Sequence, residues 1–169
     1  MSRQAGLLNQ DLLILQQFRS GFSPEFDILD DQGRVVGMVA GTEGGARRFF
    51  LGPREFDVLD ADGSRLAHLS DVRDFWRDTY EIVRGDGSML ATVARKVAFF
   101  SRRFSIALST GEEFMVEGNF FDREFNVVNA NGGGAVAQVS RERAGFAKAF
   151  LGHDRYALYY PPGTSPDRR

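Results

Sequence analysis

An aromatic residue and a glycine recur seven residues apart, five times along this chain. The aromatics are Phe26, Phe56, Tyr80, Phe104 and Phe125; the glycines are Gly33, Gly63, Gly87, Gly111 and Gly132. Two residues after each aromatic comes an aliphatic one: Ile28, Val58, Ile82, Ile106 or Val127. Ten residues after it an apolar residue returns: Val36, Leu66, Leu90 and Phe114. In the fifth unit that residue is Val136, one place late, because Gly133 and Gly134 lengthen the loop. Three positions further on stand Val39, Leu69, Val93 and Val139, whereas the fourth unit has Glu117 there.

A period of two fits a strand with one apolar face, since alternate side chains share a face. The residues between are polar: Asp27, Asp57, Glu81, Ser105 and Asn126. Each glycine follows turn chemistry such as Asp30-Asp31-Gln32 or Asp60-Ala61-Asp62, and supplies the positive φ that a tight hairpin needs. Helical spacing of three and four is lacking in these units. The repeat therefore predicts five hairpins. Leu12 to Gln17 reads as a lone strand before them. The segment Arg155-Tyr156-Ala157-Leu158-Tyr159 reads as a lone strand after them, ended by Pro161-Pro162. The two lone strands can pair and remove the sheet edges. The expected fold is all-β, a closed antiparallel barrel of about twelve strands. One helical candidate, Ala144 to Leu151, precedes the last strand.

The 169 residues suit one domain, read as 1–169 with tails at 1–10 and 161–169. The formal net charge of -2 argues against a nucleic-acid partner. The absence of cysteine removes disulfides, thiolate catalysis, Cys-ligated zinc and S-palmitoylation. No signal peptide pattern and no run of about 18 apolar residues is visible, so the expected location is cytoplasmic or peripheral at a membrane.

Three stretches carry a family resemblance. They are Phe56-Asp57-Val58-Leu59-Asp60-Ala61-Asp62-Gly63; Tyr80-Glu81-Ile82-Val83 with Ala91-Thr92-Val93-Ala94-Arg95-Lys96; and Glu124-Phe125-Asn126-Val127-Val128 with Val136-Ala137-Gln138-Val139-Ser140-Arg141-Glu142. With them the chain, from about Leu12 to Tyr160, resembles the LURP-one-related group of the Tubby C-terminal-like and phospholipid scramblase-like superfamily. The resemblance implies a twelve-stranded barrel around a central hydrophobic C-terminal helix, and lipid or phosphoinositide association. Scramblase-like members use a palmitoylated cysteine cluster and a C-terminal membrane segment. This sequence has no cysteine and no apolar segment after its last strand, so lipid scrambling is not expected and the central helix is expected to be missing. A barrel wider than eight strands leaves room inside. The expectation is a lumen lined by Phe and Leu, a flattened barrel, or a lumen occupied by something else.

In a meander the hairpin turns lie at one end and the links between hairpins at the other. The turns carry Asp30, Asp31, Asp60, Asp62, Asp86, Glu112 and Glu113; the links are aromatic and basic. One reading of the links is contact with an anionic membrane. Arg95, Lys96, Arg102 and Arg103 are the candidates for lipid or anion binding, because they bracket Phe99 and Phe100. Phe75, Trp76, Phe99 and Phe100 are the membrane-contact candidates. The other reading has the aromatics capping the barrel and the arginines solvated or paired with Asp71, Asp74, Asp78 and Asp122.

Catalytic signals are weak. Asp60-x-Asp62-Gly63 resembles part of a calcium loop, but Gly63 comes fourth rather than sixth, and hairpin chemistry explains it. His68 and His153 lack metal-ligand spacing. Gly132-Gly133-Gly134 opens no helix, and Glu112-Glu113 are adjacent, which is poor geometry for paired acid and base work. The reading is a non-catalytic module without cofactor or metal that associates with lipid or an anionic membrane surface. The alternative is a protein-interaction module that accepts a hydrophobic segment in its lumen.

Overall fold

The computed structural model of the chain describes residues 6–20, 23–41, 55–74, 77–98, 101–119, 124–141 and 155–164. The aromatic-x-aliphatic segments are strands. The strands run β1 (Leu12–Ser20), β2 (Ser23–Leu29), β3 (Val35–Gly41), β4 (Glu55–Asp60), β5 (Arg65–Asp74) and β6 (Arg77–Arg84). They continue as β7 (Met89–Ala98), β8 (Ser101–Leu108), β9 (Glu113–Asn119), β10 (Glu124–Asn129), β11 (Ala135–Arg141) and β12 (Arg155–Tyr159). Each pairs antiparallel with its sequence neighbours, and β1 pairs with β12, so the sheet is a closed twelve-stranded barrel. The helical candidate at 144–151 lies outside the described residues. Among these, the one helical element is a 3-10 turn, Leu7–Asn9.

The recurring glycine does the same job in all five hairpins. Its φ runs from 76° at Gly33 to 98° at Gly132, a region that a Cβ disfavours. In the first hairpin Gly33 N–H donates to the Asp30 carbonyl at 3.0 Å, and Asp30 N–H donates to the Arg34 carbonyl at 2.9 Å. The second, third and fourth hairpins repeat both bonds. This is a three-residue loop closed by a left-handed glycine.

A second irregularity sits one step inside the turn. In the first hairpin Ile28 faces Gly37 and Leu29 faces Val35, so Val36 is an extra residue, a β-bulge. Leu66, Leu90 and Val136 hold the same place in the second, third and fifth hairpins. The fourth hairpin has no bulge: Ile106 faces Phe114 and Ala107 faces Glu113. That explains the departure at Glu117. Without the extra residue the phase shifts by one, and Val116 takes the place across from Phe104 that Val39, Leu69 and Val93 take elsewhere.

The seam joins the two lone strands from Leu12 facing Tyr159 to Gln16 facing Arg155. Arg155 Nη2 also donates to Gln16 Oε1. The innermost core lies at the turn end: Leu7, Leu13, Ile28, Val36, Ala137 and Tyr160 are buried together, with Leu158 and Val58 packed against them. Leu7 belongs to the stretch 1–10 that the sequence leaves as a tail. Its N–H donates to Asp60 Oδ1 at 3.3 Å. Its Cδ1 lies 2.5 Å from where a Cβ on Gly37 would stand, so the glycine makes its seat. The barrel thus has a floor made by its own N-terminal turn.

Candidate functional site

The turn end is anionic. Asp31, Asp62, Asp86, Glu112 and Glu113 stand exposed or half-exposed there. The Asp30 carboxylate is fully buried. Its Oδ1 accepts the backbone N–H of Gln32 at 2.9 Å and of Arg34 at 2.8 Å, and Arg34 Nε and Nη2 both reach Oδ2 at 2.7 Å. Burial by itself raises this carboxyl's pKa. The Arg34 and Gln32 hydrogen bonds and the Arg34 charge outweigh it, so the pKa falls below the ordinary value. Asp62 is held low by the hydroxyl and N–H of Ser64, and Asp86 by the N–H and hydroxyl of Ser88. The calcium-like fragment is thereby accounted for. Asp60 Oδ1 accepts from Ala61 N–H at 2.9 Å, and Asp62 Oδ1 from Ser64 N–H at 2.8 Å. Among the described residues no group of three or more His, Asp or Glu side chains could hold a metal ion.

The link end receives the predicted basic residues in two rows. Along β7 and β8, Arg95 faces Phe104, Lys96 faces Arg103, Val97 faces Arg102 and Ala98 faces Ser101. Strand alternation therefore puts positions 95, 97, 102 and 104 in one row and 96 and 103 in the other. The first row continues from Ala91, which is buried, and so belongs to the lumen. Arg95 is accordingly a half-buried residue of the inner wall. Lys96 and Arg103 stand directly across from each other in the opposite row, and Arg102 shares the row of Arg95. Phe75, Trp76, Phe99 and Phe100 lie outside the described residues. The ladders leading to them end at Asp74 facing Arg77 and Ala98 facing Ser101.

Burial of the inner wall is graded along the axis. The buried apolar residues of the strands, such as Leu13, Ile28, Ala91, Phe114 and Ala137, sit close to the turns. One inward step toward the links the wall is only half-buried, at Val39, Phe56, Leu69, Val93 and Phe125. Tyr80 and Asp71 face each other at this level, and Tyr80 faces Val93. Leu7 and Tyr160 pack into the core at the turn end, and the described inner wall is less buried toward the links.

The outer wall carries one cluster that the sequence reading missed. Asp57 faces His68 across the second hairpin, and His68 Nδ1 lies 2.8 Å from Asp57 Oδ1. Arg65 Nη1 lies 3.7 Å from the same oxygen. The pairing was hidden because it depends on the bulge at Leu66, which no residue type announces. One carboxylate serves both side chains, and this stitches β4 to β5.

A family model described as LURP-one-related matches residues 10–166. No curated protein matches the sequence. Among solved structures, an X-ray structure of a protein from Arabidopsis thaliana is similar, with a TM-score of 0.59 at 20% identity, covering 89% of this chain and 80% of that one. At that identity the likeness is one of fold.

Proposed function

The chain belongs to the LURP-one-related family, and from that premise we propose that it is a non-catalytic β-barrel module that associates with lipid at an anionic membrane surface. It does not scramble lipid itself, and its place is the cytoplasm or the cytoplasmic face of a membrane. The observation that carries this reading is the register that sets Lys96 directly across from Arg103 near the link end. Like charges at opposed positions of a sheet disfavour each other unless a counter-charge meets them, and a phosphate-bearing surface supplies one. The anionic turn end supports the orientation, because it would be repelled from the same surface. Basic residues near an anionic leaflet contribute on the order of 1 kcal/mol each. No helix among the described residues is long and apolar enough to cross a membrane.

The test is co-sedimentation with vesicles of zwitterionic lipid alone and with added phosphatidylserine. Binding should rise with the anionic fraction, fall with salt and weaken in the double variant Lys96→Glu, Arg103→Glu. Equal recovery with both vesicle types at low salt would reject it. The half-buried inner wall favours a second reading, a protein segment held in the lumen. A stoichiometric protein partner together with no lipid affinity would decide for that.

A further inference from the structure

We propose that Asn131, at the tip of the last hairpin, is a site of spontaneous covalent modification: the backbone nitrogen of Gly132 displaces its amide as ammonia, and water opens the resulting imide to aspartate or isoaspartate. This inference stands apart from the lipid-associating reading.

The place of Asn131 in the chain supplies the first argument. The chain has five asparagines, Asn9, Asn119, Asn126, Asn129 and Asn131, and Asn131 alone precedes a glycine. A side chain on the following residue screens the nitrogen that must attack, and glycine has none. Asn131 is exposed between β10 and β11. Its N–H is held by Asn129 Oδ1 at 2.9 Å, while its own amide group takes no hydrogen bond among the described residues. Gly132 N–H donates to the Asn129 carbonyl at 3.2 Å, whereas the matching bond is 2.8 to 3.0 Å in the other four hairpins. The attacking nitrogen is thus the most loosely held of the five. A Cβ added at Gly132 or Gly134 would meet nothing within 4 Å, so the loop has room for the imide ring.

The second and third hairpins supply the second argument, because they carry Asp62-Gly63 and Asp86-Gly87 at the same place. There the side chain is tied down. Asp62 Oδ1 accepts Ser64 N–H at 2.8 Å, and Asp86 Oδ1 accepts Ser88 N–H at 2.9 Å. The same serines hold both carboxyls below their ordinary pKa, so they stay ionised, and an ionised carboxylate resists a nucleophile. Gly133 stands where those hairpins have Ser64 and Ser88, and it has no hydroxyl to offer. Asn131 therefore combines an unionised carbonyl, an unscreened neighbour and a free side chain.

The step balances with water as the co-reactant. Gly132 N bonds to Asn131 Cγ, the Cγ–Nδ2 bond breaks, and ammonia leaves with the proton from Gly132. Water then adds to one imide carbonyl; its oxygen stays on that carbon and a proton returns to the nitrogen. Cleavage at Cγ yields aspartate. Cleavage at the Asn131 backbone carbonyl yields isoaspartate, in which the chain runs through Cγ. Either product adds one negative charge to the anionic turn end and takes the formal net charge from -2 to -3.

The experiment incubates the full folded chain in mildly alkaline buffer and follows it by native isoelectric focusing and by mass spectrometry of the tryptic fragment 124–141. That fragment carries Asn126, Asn129 and Asn131, so two asparagines act as internal controls. A more acidic band should grow, with amide loss at Asn131 and both isomers present. Asn131→Gln should abolish the band. Isoaspartate at 62 and 86 should be absent from the folded chain and rise in urea, where Ser64 and Ser88 no longer hold the carboxylates. Amide loss at Asn131 in urea but not in the folded chain overturns the proposal. So does loss at Asn126 or Asn129 as fast as at Asn131, isoaspartate at 62 or 86 forming as fast in the folded chain, or an acidic band that persists in Asn131→Gln.

Discussion

At the scale of single residues, the turns are held by carboxylates that do backbone work. Asp30, Asp62 and Asp86 each accept the N–H of the residue two positions on, and each has a lowered pKa. A carboxyl whose pKa is lower folded than unfolded binds fewer protons in the folded state. Its contribution is complete above the unfolded value, about 3.9, and drains away as pH falls through the folded value. Stability should therefore be level through neutral pH and decline below about pH 4. The triple variant Asp30→Asn, Asp62→Asn, Asp86→Asn should show a flatter acid limb. Urea unfolding at a series of pH values measures this; an acid limb of unchanged steepness would contradict it. These residues were legible in the sequence as turn formers because Asp and Gly in a short loop have few other uses. Leu7 was not legible. It lies in a polar stretch without period, and only its seat on Gly37 shows that it belongs to the core.

At the scale of elements, the hairpins solve one packing problem in two ways. Four of them place a larger and a smaller residue side by side at the bulge: Val36-Gly37, Leu66-Ala67, Leu90-Ala91 and Val136-Ala137. The β8–β9 hairpin omits the bulge and fills the place with Phe114, only 4% exposed. A single bulky ring here does the work of two residues. Phe114→Ala should cost roughly 3–5 kcal/mol, and Leu66→Ala less, since Leu66 keeps part of its surface in water. Chemical denaturation compares them; equal losses would show that the ring is not the substitute for the pair. The repeat made the strands readable, but bulges set the register, and a shift of one residue exchanges the faces. That is why Asp57 and His68 were not recognised as partners. It is also why four basic residues close in sequence fall in two register rows, Arg95 with Arg102 and Lys96 with Arg103.

At the scale of the whole molecule, closure depends on one ladder, β1 with β12. Leu13 faces Leu158 there, and both take part in the floor cluster. An aspartate at position 158 would carry an unpaired charge into that cluster, a change among the most damaging a core can receive. Leu158→Asp should open the seam, expose two strand edges and promote association. Size-exclusion chromatography at several concentrations would reveal this, and a well-behaved monomer with unchanged melting would count against the seam as the closing element. The closed barrel was legible because the repeat left two half-units over, and paired edges are the economical outcome for an antiparallel meander.

The seam also has a temporal consequence. The contact between Gln16 and Arg155 spans 139 residues of chain. During synthesis the N-terminal strand emerges early and must wait, with one flank unmatched, until residues 155–159 have been translated. Hairpins can form locally in the meantime, but the cylinder cannot. Such long-range partnering slows folding and leaves the nascent polypeptide open to mispairing with its neighbours on a polysome. A ribosome stalled shortly before residue 155 should therefore hold a protease-sensitive open sheet, and emergence of β12 should convert it to the resistant form.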